Sequence, residues 1–177
     1  MDIGVISVRY ARALLKAATE GKSEESVYAT MQTLAKAYLD VPQMRQVIEN
    51  PMVSNDVKWQ VMLTAAGNTE SELVKNLLQM VLKTGREKML QYIANSYITL
   101  YRQQNNIITG KITTSAPVSQ DTVVKLRSLI EKQTNGKVDL ETAVDPELIG
   151  GFILEYDTYR IDASVKKQLN SILKQLN

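Results

Sequence analysis

The sequence holds no histidine and no cysteine in 177 residues. Without cysteine there are no disulfides, no zinc–thiolate sites and no thiol nucleophile. Without histidine the commonest general base and the commonest transition-metal ligand are missing, and a serine–histidine triad is impossible. No uninterrupted apolar run approaches the roughly 20 residues of a membrane-spanning helix. The start, MDIGVISVRYARALL, has an acid at position 2 and arginines at 9 and 12. A signal peptide needs instead a basic start, an apolar core and a small-residue cleavage site. These absences predict a soluble, cytoplasmic chain with no direct membrane insertion, joined to a membrane only through a partner. An excess of charge is missing too: the net charge is +2, with 12 Lys and Arg against 10 Asp and Glu in residues 1–104, and 9 against 9 in 105–177. Neither half offers the basic platform that nucleic acid requires.

What is present is apolar material, 44% of the chain, enough to build a packed core. Its period changes once. From Ile6 to about Gln104 the spacing is helical. Ile6, Tyr10, Ala13, Leu14 and Ala17 predict one face of a first helix that Gly21 ends. Val27, Met31, Leu34 and Tyr38 predict a second helix, with Ser23 as its cap. Met44, Val47 and Ile48 give a short third helix closed by Asn50-Pro51. A fourth, capped by Ser54, carries Val57, Val61 and Ala65 and stops at Gly67-Asn68. The fifth runs from about Glu70 to Lys83, and the sixth carries Leu90, Ile93, Ala94, Tyr97 and Tyr101. Six short helices with short connections predict an antiparallel bundle.

Near Asn105-Asn106 the period becomes two. Ile108, Gly110, Ile112 and Thr114 alternate with polar residues, and Pro117 stops that strand. Val123, Leu126, Leu129 and Ile130 are helical again. Val138, Leu140, Thr142 and Val144 predict a second strand, Ile149 to Tyr156 a third, and Tyr159 to Asp162 a fourth. Val165, Leu169, Ile172, Leu173 and Leu176 predict a closing helix. The chain is thus expected to be α+β: a helical bundle over 1–104, then a small β-α-β-β-β-α domain over 105–177.

Few polar groupings point to chemistry. Gly150-Gly151 lacks the Lys and Ser or Thr at a helix start that a phosphate loop needs, and lacks the third glycine of a dinucleotide loop. Backbone need explains the pair better: a bulge, a bend, or the close approach of another segment. Asp139, Glu141, Asp145 and Glu147 fit no calcium-loop pattern and read as a solvated strand face. Tyr92, Tyr97 and Tyr101 lie at helical spacing outside a basic setting, which suits bundle packing with hydroxyls reaching water better than base stacking. No cofactor and no metal is expected.

The fifth helix is unusual, because seven of the ten residues Leu73–Leu82 are apolar. A surface helix needs only one apolar stripe. Two readings stay open: a helix at the centre of the bundle, or a helix with one side facing an amphipathic partner.

Several stretches together resemble the delta subunit of bacterial F-type ATP synthase, whose mitochondrial counterpart is the oligomycin-sensitivity-conferring subunit. RYARALL (Arg9–Leu15), NPMV (Asn50–Val53) and NLLQMVLKTGR (Asn76–Arg86) are similar to the family's helical half. DPELIGGFILEY followed by DASV is similar to its C-terminal signature, marked here by Gly150, Gly151, Asp162, Ser164 and Val165. In the turn after the signature strand, Asp157-Thr158 stands where the family often has glycine. The resemblance covers essentially the whole chain. It implies a non-catalytic stator subunit that links the catalytic head to the peripheral stalk and resists rotation. It implies two partners, the N-terminal helix of an alpha subunit and the b subunit of the stalk. It also implies a place on the cytoplasmic face of the bacterial inner membrane, held peripherally through the complex. The alpha-subunit groove implied by the family lies between the first and fifth helices, at Tyr10, Ala13 and Ala17 on one side and Leu77, Met80 and Thr84 on the other. An unrelated helical adaptor is the alternative, and a small carboxylate enzyme the weakest reading.

Overall fold

The helical periods of the first hundred residues become α1 (Ile3–Glu20), α2 (Glu24–Asp40), α3 (Pro42–Glu49), α4 (Asn55–Ala65), α5 (Glu72–Lys83) and α6 (Leu90–Gln104), with a 3-10 turn at Glu87–Met89 before the last. The computed structural model describes residues 3–134, 136–156 and 159–169. The chain is α+β, with helices in its N-terminal part and a four-stranded sheet in its C-terminal part. It divides into two compact units, Met1–Gln103 and Gln104–Asn177.

Three helices of the first unit end in the same way, and the endings set the chain's course. After α5, Arg86 N–H donates to Val81 O at 3.0 Å and Gly85 N–H to Leu82 O at 3.1 Å, with Gly85 at φ 61°. This is a Schellman closure, in which a left-handed residue lets two amides reach back to the last carbonyls. Gly67 and Asn68 close α4 by the same pair of bonds, to Thr64 and Leu63. In α1 the left-handed position is Lys22, at φ 51°, and not Gly21, whose amide still bonds to Ala17 within the helix. The helix ends at Glu20, directly before Gly21, as expected, but the left-handed residue of its closure is Lys22. Ser23 does not cap α2 with its side chain; its hydroxyl donates back to Ala18 O at 3.5 Å. Ser54 does cap α4, accepting from Val57 N–H at 3.5 Å.

The core of this unit takes one stripe from each helix. Val27, Met31 and Leu34 of α2 and Leu90, Ile93 and Tyr97 of α6 are fully buried, as their spacing predicts. Two stripes are turned relative to expectation. On α1 the buried set is Ile6, Ser7, Ala11, Leu14, Leu15 and Ala18, while Ala13 is exposed and Tyr10 and Ala17 are half-buried. On α4 it is Lys58, Met62 and Ala65, and Val57 is exposed. Lys58 goes inward because its Nζ meets Glu87 Oε1 at 3.0 Å, with side chains only 6% and 13% exposed. A buried cation needs such a partner; a lysine in the sequence does not announce one. Tyr97 departs as well: its hydroxyl donates to Glu24 O at 3.2 Å inside the unit and does not reach water.

In the second unit β1 (Ile107–Thr114), α7 (Gln120–Thr134) and β2 (Lys137–Val144) form a parallel crossover. A 3-10 turn at Pro146–Leu148 leads to β3 (Phe152–Tyr156) and β4 (Tyr159–Asp162). The sheet order is β2-β1-β3-β4, with β3 antiparallel to both its neighbours. Ile112, Ile130, Val138, Leu140 and Leu154 make the core between sheet and α7. Gly110 of β1 lets Leu140 lie across the strand, since a Cβ there would stand 2.7 Å from Leu140 Cδ2. Leu129, predicted inward, is 60% exposed, and the far end of β2 turns Thr142 and Val144 to solvent. The third strand starts at Phe152 and not at Ile149, because the 3-10 turn at Pro146–Leu148 is followed by a bend with Ile149 and Gly151 at positive φ. Residues 165–169 begin a helix; Ile172, Leu173 and Leu176, like Asp157-Thr158, lie outside the described residues.

Candidate docking surface and the glycine turn

The α1–α5 surface is built by packing α1 on α5 through the buried stripes of both helices. On α5 those residues are Val74, Leu77, Leu78 and Val81. Leu77, 7% exposed, is therefore part of the core, whereas Met80 is 52% exposed and Thr84 is exposed one turn further on. Leu73 and Leu82 are half-buried. The apolar excess of α5 is thus divided between an enclosed stripe and an uncovered margin. Thr84 Oγ1 donates to Met80 O at 2.8 Å, turning its hydroxyl onto its own helix. On α1, Ala13 is exposed and Tyr10 and Ala17 are half-buried.

The closure of α5 delivers Arg86 to the same place. Its Nη1 donates to Tyr10 Oη at 2.6 Å, and its guanidinium lies 5.6 Å from the Tyr10 ring centroid. One residue thus holds the phenol by a hydrogen bond and a cation–π contact. Arg86 was not among the residues singled out from sequence. Its position after the helix-ending Gly85 was the available signal, since the second residue of a Schellman closure is fixed in direction. A second depression, of about 340 Å³, lies between α4 and α5, with Trp59 and Leu82 in its wall.

In the C-terminal unit the signature residues form one turn-and-cap assembly. Asp145 Oδ1 accepts from Glu147 N–H at 3.0 Å and starts the 3-10 turn. Ile149 follows at φ 67° and Gly151 at φ 76°. A Cβ on Gly151 would overlap the Ala163 carbonyl, and one on Gly150 would stand 3.0 Å from Val165 Cγ2. The glycines thus admit the backbone of residues 163–165, which is fastened by Val165 N–H to Gly150 O at 3.0 Å and Ala163 N–H to Phe152 O at 2.9 Å. Asp162 Oδ1 accepts from Ser164 Oγ at 2.7 Å and from Ser164 N–H at 3.1 Å. Ser164, buried, in turn accepts from Lys167 N–H at 3.2 Å and caps the helix that begins at Val165. The Ser164 hydroxyl and amide hold the Asp162 carboxyl below the usual carboxylate range, helped by the charges of Lys167 and Arg160. The carboxylates do not converge. Asp139 and Glu141 are exposed on β2, Asp145 serves its own turn, and among the described residues no three acids gather as metal ligands.

A helical unit followed by a sheet unit whose Gly150-Gly151 pair serves the backbone makes a two-part α+β protein. The family model described as ATP synthase delta (OSCP) subunit matches residues 6–176. A protein of Phocaeicola vulgatus named ATP synthase subunit delta is 44% identical, over 99% of this chain and 95% of its own length. One of the same name from Azobacteroides pseudotrichonymphae is 33% identical, over 99% and 100%. In fold, the chain is similar to one in the cryo-EM structure of the Toxoplasma gondii mitochondrial ATP synthase hexamer, with a TM-score of 0.68, 23% identity and 96% of each chain covered. This chain belongs to the ATP synthase delta (OSCP) subunit family. Its members are non-catalytic stator subunits of the F-type ATP synthase. No helix among the described residues is long and apolar enough to cross a membrane.

Proposed function

We propose that this stator subunit fastens the N-terminal helix of an alpha subunit to the b subunit of the peripheral stalk. Its first half, 1–104, acts as a six-helix bundle that takes the alpha-subunit helix. Its second half, 105–177, in the order β-α-β-β-β-α, meets the end of the stalk. The complex holds it on the cytoplasmic face of the bacterial inner membrane. A rotating central stalk puts torque on the catalytic head, and a link that resists it must grip by broad apolar contact and needs no reacting group.

The observation that carries this reading is the uncovered margin between α1 and α5. Ala13 of α1 and Met80 and Thr84 of α5 are exposed, and the Tyr10–Arg86 hydrogen bond ties α1 to the residue just after α5. Tyr10 and Ala17 form one wall; Leu77 lies beneath Met80 as its support. An amphipathic helix laid along this margin would cover Met80 as its main apolar anchor. Calorimetric titration with a synthetic peptide of the alpha subunit's N-terminal segment tests the reading. Saturable binding at one site is expected; a peptide that does not bind overturns it.

A further inference from the structure

The chain has no thiol, so its seven methionines hold all of its sulfur. Their exposure differs by place. Met31 and Met62 are fully buried and Met44 nearly so, inside the first unit. Met89, in the 3-10 turn before α6, is half-buried. Among the described methionines only Met52 and Met80 are exposed, and their settings are different. Met52, 90% exposed, stands in the connection between α3 and α4. Met80 stands on α5, one turn after the buried Leu77 and one turn before the exposed Thr84. Asn76 before it and Lys83 after it are exposed as well, so this side of α5 is open to solvent from Asn76 to Thr84.

We propose that Met80 is a site of reversible oxidation whose sulfoxide weakens docking on the α1–α5 margin. The inference rests on the reading that this margin takes the alpha-subunit helix, with Met80 as its apolar anchor. The oxidant is a two-electron one of the peroxide class. A sulfur lone pair attacks one oxygen of hydrogen peroxide, and the S–O bond forms as the O–O bond breaks. The hydroxide released takes the proton of the transferred oxygen, so the products are one sulfoxide and one water. The thioether thereby becomes a polar, chiral group. Under the apolar side of a docked helix the new oxygen meets no donor, and burying an acceptor in that state is costly. The lack of cysteine removes the thiol that would otherwise react first. Accessibility then ranks the methionines, and the exposed pair leads. Oxidation of Met52 alters a loop side chain away from α1 and α5; oxidation of Met80 alters the anchor. Docking covers Met80, so the modification acts on the free subunit before assembly and spares the docked one.

The test treats the full chain with hydrogen peroxide, removes the oxidant with catalase, and then titrates with the synthetic alpha-subunit peptide. Mass mapping follows each methionine. Met52 and Met80 are expected to convert first, and affinity to fall about tenfold as Met80 converts, the scale set by losing one buried apolar side chain. Methionine sulfoxide reductases, one for each sulfoxide epimer, are expected to restore the affinity together. Met80→Leu keeps an apolar side chain without sulfur. It is expected to bind the peptide near wild type and to hold that affinity after treatment, whereas Met52→Leu loses affinity on treatment as wild type does. Melting of the treated wild type is expected to match the untreated, so the binding loss reports the surface. A treated Met80→Leu protein that weakens as much as wild type overturns the proposal. So does complete conversion of Met80 with unchanged affinity, or conversion of Met80 no faster than that of buried Met31 and Met62. In these three outcomes the untreated protein still binds, and the docking reading stands. Untreated wild type that does not bind the peptide overturns that reading and the proposal with it.

Discussion

At the scale of single residues, the signature Gly150-Gly151 divides into two unequal demands. Gly151 needs a left-handed backbone and the absence of a Cβ, because the Ala163 carbonyl occupies that space. Gly150 needs only room beside the Val165 side chain, which can shift. Gly151→Ala is therefore expected to destabilise the protein by about 2–4 kcal/mol, from backbone strain and overpacking together. Gly150→Ala is expected to cost about 1 kcal/mol or less. Thermal melting of both variants decides the matter, and equal effects would refute the division. Asp162 makes a pH-dependent contribution. Its folded carboxyl titrates below its unfolded value, so its stabilisation is complete above roughly pH 4, the ordinary carboxylate value, and is lost as pH falls through the depressed folded one. Asp162→Asn is expected to melt earlier than wild type at neutral pH and to show a flatter stability curve in the acid range. Parallel acid slopes in both proteins would remove Asp162 from the cap.

At the scale of elements, α5 separates support from surface. Leu77→Asp places a carboxylate inside the first unit, and a fall of several kcal/mol in folding stability is expected. Met80→Asp changes an exposed side chain, so its melting is expected to stay near wild type while affinity for the alpha-subunit peptide drops at least about tenfold. Melting and titration on the same samples check this pair; a Met80→Asp protein that binds as tightly as wild type takes Met80 out of the interface. The same helix shows how far sequence could lead. Its periodicity and apolar excess were legible, but Leu77, Met80 and Thr84 share spacing without sharing burial. Spacing defines a face; only neighbours decide how much of it they cover. The rotated stripes of α1 and α4 have similar causes. Small Ala13 and Ala17 count as apolar wherever they stand, and Lys58 is drawn in by Glu87, a residue 29 positions away whose pairing no local pattern records. In the second unit the alternation of β1 was legible because both its edges are paired, while β2, paired with β1 at one end of the sheet order, loses its inward pattern at Thr142 and Val144.

At the scale of the whole molecule, the two units have separate cores, and the division falls at Gln103/Gln104. A fragment of residues 1–104 is expected to fold by itself and to keep its affinity for the alpha-subunit peptide, since its helices take no strand from the second unit. Circular dichroism and the same titration check this, and an unfolded fragment would show that the units depend on each other. The sheet order carries a further consequence, for the time course of synthesis. β1 is made first of the four strands yet lies between β2 and β3, pairing Ile112 with Thr142 and Thr114 with Phe152. Both partners leave the ribosome only after α7 has been completed. Contacts so distant in sequence close slowly, whereas helices form from near neighbours. The first unit can thus mature while β1 still waits, and the last part to become competent is the one whose turn-and-cap assembly depends on residues 145–167. A chain interrupted before Ser164 would carry a finished helical unit and a sheet without its closing cap. If the units divide their partners as proposed, such a product would occupy a head without reaching a stalk, so truncation near the end is expected to act as an inhibitor of assembly and not as a simple loss of the subunit.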